Sequence, residues 1–148
     1  MITDKLLRVS EDQAPTAQGA TVSTNTVDLG TARDIGEGKK LIMNFAVTEG
    51  VTSGGSATVQ FQVIGSASAN LSSPVVLGST GAIAKASLTL GTNVAVDFNT
   101  LIGSKGYRYI GAQYVIATAD LTAGKFTADL VETVQDGKKF YASGFTVV

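Results

Sequence analysis

Three carboxylates on strand-like segments, Asp97, Asp129 and Glu132, are the residues of this chain best suited to chemistry. Two of them flanking a sugar bond would supply the acid and the base or nucleophile of glycoside hydrolysis. Asp129 and Glu132 have opposite parity along an extended chain and therefore point to opposite faces. Nothing around either marks it for a raised pKa, so both read as solvated strand positions. The sequence has neither His nor Cys, which removes Ser-His-Asp and Cys-His catalysis, the usual zinc sites and any disulfide. Oxygen ligands for calcium are offered by Asp34 with Glu37, or by Asp97 with Asn99. A site taking roughly 6–8 oxygens needs more than either spacing supplies. Gly78-Ser79-Thr80-Gly81 followed by Lys85 has the flavour of a phosphate loop, but that motif needs Lys and Ser/Thr directly after its last Gly at the start of a helix. These are turn glycines. Asn70-Leu71-Ser72 matches a glycosylation triplet and is incidental in a chain with no export signal. The expectation is a protein that is not an enzyme and needs no cofactor.

The elements that would carry these residues are strands. Val59, Phe61 and Val63 alternate with Thr58, Gln60 and Gln62, one side core and the other facing water or a polar partner. Leu41, Met43, Phe45 and Val47 alternate with Ile42, Asn44, Ala46 and Thr48 in the same way. Val75 to Leu77, behind Pro74, reads as an edge strand. Ile83 to Leu90 and Val94 to Phe98 read as two more strands, and Thr24 to Gly30 as a short one. From Gly106 to Val134 two long extended segments flank the short loop Ala119 to Gly124, which predicts a β-hairpin. Ile110, Ala112, Tyr114 and Ile116 lie on one face of its first arm, Phe126, Ala128 and Leu130 on one face of its second. After the turn at Gln135 to Gly137, the sequence predicts a last extended piece through Phe140 and Tyr141. About eight strands with turn signals between them predict an all-β sandwich or barrel. Residues 1–23, short of apolar periodicity, are expected to form an extended arm, and residues 24–148 a single domain.

At 148 residues the chain is long enough to bury a sizeable core. Its net charge of −1 is spread without a block of either sign, which argues against nucleic acid as a partner. Charged residues make up 16% of the chain, well under the roughly 25% of an average globular protein. So sparse a charge does little to oppose self-association. No apolar run approaches the ~18 residues of a membrane span, and no apolar stretch follows Lys5 and Arg8 as a signal peptide would require. Synthesis in the cytoplasm without export, and no membrane partner, are the expectations.

The segment Thr24 to Glu49, TNTVDLGTARDIGEGKKLIMNFAVTE, resembles the capsid cement, or decoration, proteins of short-tailed double-stranded DNA phages, particularly the kind known from a Bordetella phage. Thr24, Asn25, Asp28, Leu29, Gly30, Ala32, Arg33, Asp34, Gly36 and Leu41 carry the likeness. A second block, Phe140-Tyr141-Ala142-Ser143-Gly144-Phe145, is similar to the aromatic closing motif of that family, with Ala142 where the family tends to have Pro. The resemblance implies a jelly-roll sandwich on the outer surface of the virion head that bridges neighbouring major capsid proteins and forms small homo-oligomers, dimers or trimers. Candidate contacts to the shell or to a second copy are Ile2 and Leu6 in the arm, Arg33, Asp34, Glu37, Lys39 and Lys40 in the first loop, Tyr107 and Tyr109, and Lys138, Lys139, Phe140 and Tyr141 near the end. The other reading of Lys39-Lys40 and Lys138-Lys139 is charge that protects strand edges rather than contact to an acidic protein surface. The alternative is a carbohydrate- or receptor-binding sandwich on a phage tail or spike, for which Tyr107 and Tyr109 would form the platform.

Overall fold

Strands that alternate apolar and polar residues must each cover one side, and here two antiparallel sheets cover each other. The computed structural model describes residues 3–36 and 39–134. Its strands are β1 (Arg8–Gln13), β2 (Gly19–Val22), β3 (Val27–Asp28), β4 (Ile42–Thr52), β5 (Thr58–Ser66), β6 (Val75–Ser79), β7 (Ile83–Ala84), β8 (Asn93–Asp97), β9 (Tyr109–Ala117) and β10 (Ala123–Val131). One sheet has the order β1-β10-β4-β8 and the other β2-β9-β5-β6, with β3 added to β9 and β7 to β5. We call them the first and second sheets.

Without the two-residue strands β3 and β7, the pairs β1 with β10, β2 with β9, β4 with β8 and β5 with β6 nest inside one another along the chain. This is an antiparallel ribbon rolled into two sheets, the jelly roll. The expected all-β sandwich is therefore what the chain forms. The face of β9 expected to be apolar, Ile110, Ala112, Tyr114 and Ile116, is buried, as are Phe126, Ala128 and Leu130 of β10.

The middle of the core is aromatic. Phe45 and Phe126 come from the first sheet, Phe61 and Tyr114 from the second, and all four are fully buried. Tyr114 stacks on Phe126 with ring centres 5.2 Å apart, and Phe61 meets Phe126 edge-on at 5.2 Å. Phe45 touches Phe61 at 5.0 Å and Tyr114 at 5.9 Å. Offset and edge-to-face rings add roughly 0.5–1.5 kcal/mol per pair beyond the area they bury.

Three expectations are corrected. The long hairpin does not form: β9 pairs with β5 and β2, β10 with β4 and β1, and the segment between them crosses from one sheet to the other. Leu121, in the middle of that connection, is buried, and the N–H groups of Leu121 and Thr122 donate to the carbonyls of Thr16 and Thr52. An apolar residue that seals the end of the core has no place in a polar hairpin turn. The expected arm is mostly sandwich, because Arg8–Gln13 and Gly19–Val22 are β1 and β2, and Val9 is fully buried in the core. Of the described residues of that segment, 3–7, with a 3-10 turn at Lys5–Leu7, precede the sheets, and 14–18 connect β1 to β2. The strand expected over Ile83 to Leu90 shrinks to β7 and a 3-10 turn at Lys85–Ser87, since Leu88 turns into the core while Leu90 stays exposed. The Gln135 to Gly137 turn and the strand beyond it lie outside the described residues.

Tyr114 brings a hydroxyl into this core that makes no well-formed hydrogen bond among the described residues. Burial pushes its pKa far above the usual tyrosine value; Ser10 of β1, near enough to offset part of the shift, donates its own hydroxyl to Gln13 Oε1. Removing an unsatisfied buried group is cheap, whereas removing a packed ring is not. Tyr114→Phe should therefore leave stability unchanged or raise it by about 1 kcal/mol, while Phe61→Ala should cost about 3–5 kcal/mol. Denaturant melts of the two variants check this, and a Tyr114→Phe loss as large as that of Phe61→Ala would contradict the account of the core.

Candidate functional site

Register decides which loops share an end of the sandwich. Arg8 lies opposite Asp129, Ile42 opposite both Val131 and Asp97, and Tyr109 opposite Asp28 and Ser66. The residues before β1, the loop between β3 and β4, the loop between β8 and β9 and the residues after β10 therefore meet at one end. The two loops are tied directly: Ile35 N–H donates to the Thr100 carbonyl at 3.2 Å, and Gly103 N–H donates to Asp34 Oδ1 at 2.8 Å. They touch so closely at Gly103 that a Cβ there would lie 2.7 Å from the Arg33 Cα.

This end gathers most of the candidate contacts. Leu6, on the turn before β1, is 83% exposed. Arg33 and Asp34 are exposed on the first loop, Asp34 bound to the second loop as described. Lys39 and Lys40 are exposed, but each already has an acidic neighbour: Lys39 Nζ is 2.7 Å from Glu132 Oε2 and Lys40 Nζ is 3.5 Å from Asp97 Oδ2. Exposed pairs of this kind are worth about 0–1 kcal/mol and exchange partners readily. Tyr107 is half-buried against the core, and Tyr109 lies under the Arg108 guanidinium at 5.1 Å, so the two rings do not form a free aromatic platform. Ile2, Glu37, Lys138, Lys139, Phe140 and Tyr141 lie outside the described residues.

Sequence reasoning missed Leu101, which is 61% exposed at this same end beside the fully buried Ile102. It also missed the pair of Arg108 and Asp28. Arg108 Nε and Nη2 donate to the two Asp28 oxygens at 2.6 and 2.7 Å, and Leu29 N–H donates to the Arg108 carbonyl. A fork-to-fork pair fixes geometry as well as charge, and here it clamps β3 and the first loop to the start of β9.

The residues weighed for chemistry each have other contacts in this structure. Asp97, Asp129 and Glu132 each have a different cation beside them; Asp129, expected as a solvated strand position, is instead buried and accepts from the partly exposed Arg8 Nε at 2.8 Å. Among the described residues no group of three acidic side chains is placed to hold a metal ion. Gly78 of the supposed phosphate loop is pressed against the Asp97 carbonyl and Phe98, and Lys85 Nζ donates to the Ser53 carbonyl at 2.6 Å. The glycine serves close approach between strands, and the lysine is spent on a main-chain oxygen.

Fold and end surface together define a jelly-roll protein whose conspicuous surface is a joint between loops, with exposed leucines set among self-paired charges. The Bbp16 family model matches residues 9–130, from β1 to β10, and the chain belongs to that family, whose name points to a protein of a Bordetella phage. No curated protein matches the chain.

The Asp28 clamp has a definite pH signature. Hydrogen bonds from Arg108, and then from Gly30 N–H, hold the Asp28 carboxyl down to about 2 from the ordinary 3.8. With the folded value below the unfolded one, its stabilisation is complete above the unfolded value and is lost as pH falls through the folded one. Wild type should therefore melt above Asp28→Asn by a constant margin at neutral pH, and the margin should close between pH 3.8 and about 2. Added salt should narrow it, because the pair is exposed. Thermal melts across this range check the sign; a margin that widens on acidification would contradict it.

Proposed function

We propose that this protein is a structural component of a phage virion that binds the outside of the head and cements neighbouring major capsid proteins, working as a small homo-oligomer. Its place is the outer surface of the capsid, reached after synthesis in the host cytoplasm. Membership of a family named for a phage protein supports the setting, and the jelly roll supplies a rigid body that presents loops at its ends. The observation that carries the reading is the end surface, where Leu6 stands exposed on the turn before β1 and Leu101 on a loop that the Asp34–Gly103 bond holds in place.

The physics suits a bridge. Large apolar side chains ringed by polar groups are the pattern of a contact patch whose centre desolvates on binding. Lys39 and Lys40 can trade their weakly held acidic neighbours for acids on the shell at little cost. Each contact can be modest, because copies bound to neighbouring shell subunits reinforce one another through effective concentration. The nucleic acid inside the shell is not the partner in this reading, nor is a membrane.

Co-sedimentation of the purified protein with heads lacking it tests the proposal. Leu101→Asp, and deletion of residues 1–7, which spares Arg8 and Val9, should each weaken binding by about tenfold or more, while the circular-dichroism spectrum stays that of the wild type. Binding unchanged in both variants would remove this end from the account.

A further inference from the structure

Among the described residues Leu6, Val75, Val76, Leu90 and Leu101 are the large apolar side chains that stand exposed. Three of them meet at one corner of the sandwich. β6 is the last strand of the second sheet and β8 the last of the first, and the two edges adjoin where Gly78 presses on the Asp97 carbonyl and Phe98. Just beyond, Asn99 N–H donates to the Leu77 carbonyl at 3.1 Å, which brings the chain leading to Leu101 alongside β6. Val75 lies opposite Gly65 and Val76 opposite Ile64, so both valines sit at the loop-built end of their strand. Val75 is 38% exposed, Val76 47% and Leu101 61%. Half-buried Leu77, Phe98 and Tyr107, packed against the core, join this ridge to the interior. Contiguous apolar side chains in water mark a contact site.

The charges around the ridge are sorted by sign. Lys105 is exposed at the end of the 3-10 turn Gly103–Lys105, four residues after Leu101, and Arg33 is exposed where its main chain lies against Gly103. The carboxylates of the same corner are engaged by the protein itself. Asp34 Oδ1 accepts from Gly103 N–H, Asp28 accepts from Arg108 and from Gly30 N–H, and Asp97 has Lys40 beside it. The ridge is therefore bordered by two outward cations.

We infer that this corner receives a segment of the shell protein whose apolar side chains are flanked by Asp or Glu. Val75, Val76 and Leu101 cover the apolar part, and Arg33 and Lys105 pair with the carboxylates. The inference rests on the cementing reading above and names the chemistry of the partner. Charge complementarity chooses that partner, because a guanidinium matches a carboxylate with two parallel hydrogen bonds. A second copy set on this corner about a two-fold axis would bring each cation toward its own like. The apolar centre supplies most of the affinity, and the rim charges supply orientation, on-rate and sensitivity to salt.

Co-sedimentation of the purified protein with heads lacking it, in roughly 0.1 M and roughly 1 M NaCl, tests this, since the Debye length falls from about 10 Å to about 3 Å between them. Wild type should bind roughly tenfold more weakly at the higher salt. Arg33→Glu and Lys105→Glu should each weaken binding about tenfold at the lower salt and much less at the higher. Val76→Ser, which removes apolar surface without adding charge, should weaken it roughly tenfold at both; Val75→Ser takes its place if Val76→Ser lowers the melting temperature. If wild type binds and these variants match it, the cementing reading survives and this corner is refuted. Wild-type binding that is equal at both salts refutes the acidic partner. If Val76→Ser alters the sedimenting mass of the free protein and leaves head binding intact, the occupant is a second copy and the inference is refuted. If wild type does not bind heads, the cementing reading fails and the inference with it.

Discussion

The ring cluster of Phe45, Phe61, Tyr114 and Phe126 is the contact on which everything else in this fold rests. It is where the two sheets touch most intimately, each contributing two rings from adjacent central strands. Strands β4, β10, β5 and β9 are held in mutual position by it, and all the other strands hang on those four. The cost is the Tyr114 hydroxyl, buried without a well-formed hydrogen bond among the described residues. An edge-to-face cluster also fixes register, since a one-residue slip of any of the four strands would turn its ring to the opposite face.

Much of this was legible in the sequence because burial with a period of two is a local property. Val59, Phe61 and Val63 announce their strand, and so do Ile110 to Ile116. What escaped was non-local. Ala119 to Gly124 has the composition of a hairpin loop, and only the burial of Leu121 distinguishes a crossing between sheets from a turn within one. Val9 sits among polar neighbours in a six-residue strand with two register shifts, so its burial is fixed by pairing with β10 rather than by its own segment. At the candidate site, Arg33, Asp34, Lys39 and Lys40 were visible as a polar loop, but their convergence with Leu101 depends on the β8 to β9 connection arriving from far along the chain. The resemblance carried by Thr24 to Glu49 agrees with the family match as far as a Bordetella-phage kind of protein, and register brings the loops of one end together.

The structure divides its labour by chemistry. Most ion pairs among the described residues lie on the first sheet, the Arg108–Asp28 pair braces the second, and one end collects loops where the exposed Leu101 is held by the Asp34–Gly103 bond. Low overall charge, which for a free monomer is a liability, is in keeping with the proposed cementing role. Rigidity at the loop-built end matters for the same reason, because a contact patch ordered before binding loses less entropy on docking.

The most direct test of the cementing role is the number of copies of this polypeptide in purified particles of the phage that encodes it, measured by quantitative mass spectrometry. The account predicts a count comparable to that of the major capsid protein. A count fitting only a tail or a single vertex, or absence from the particle, would contradict it.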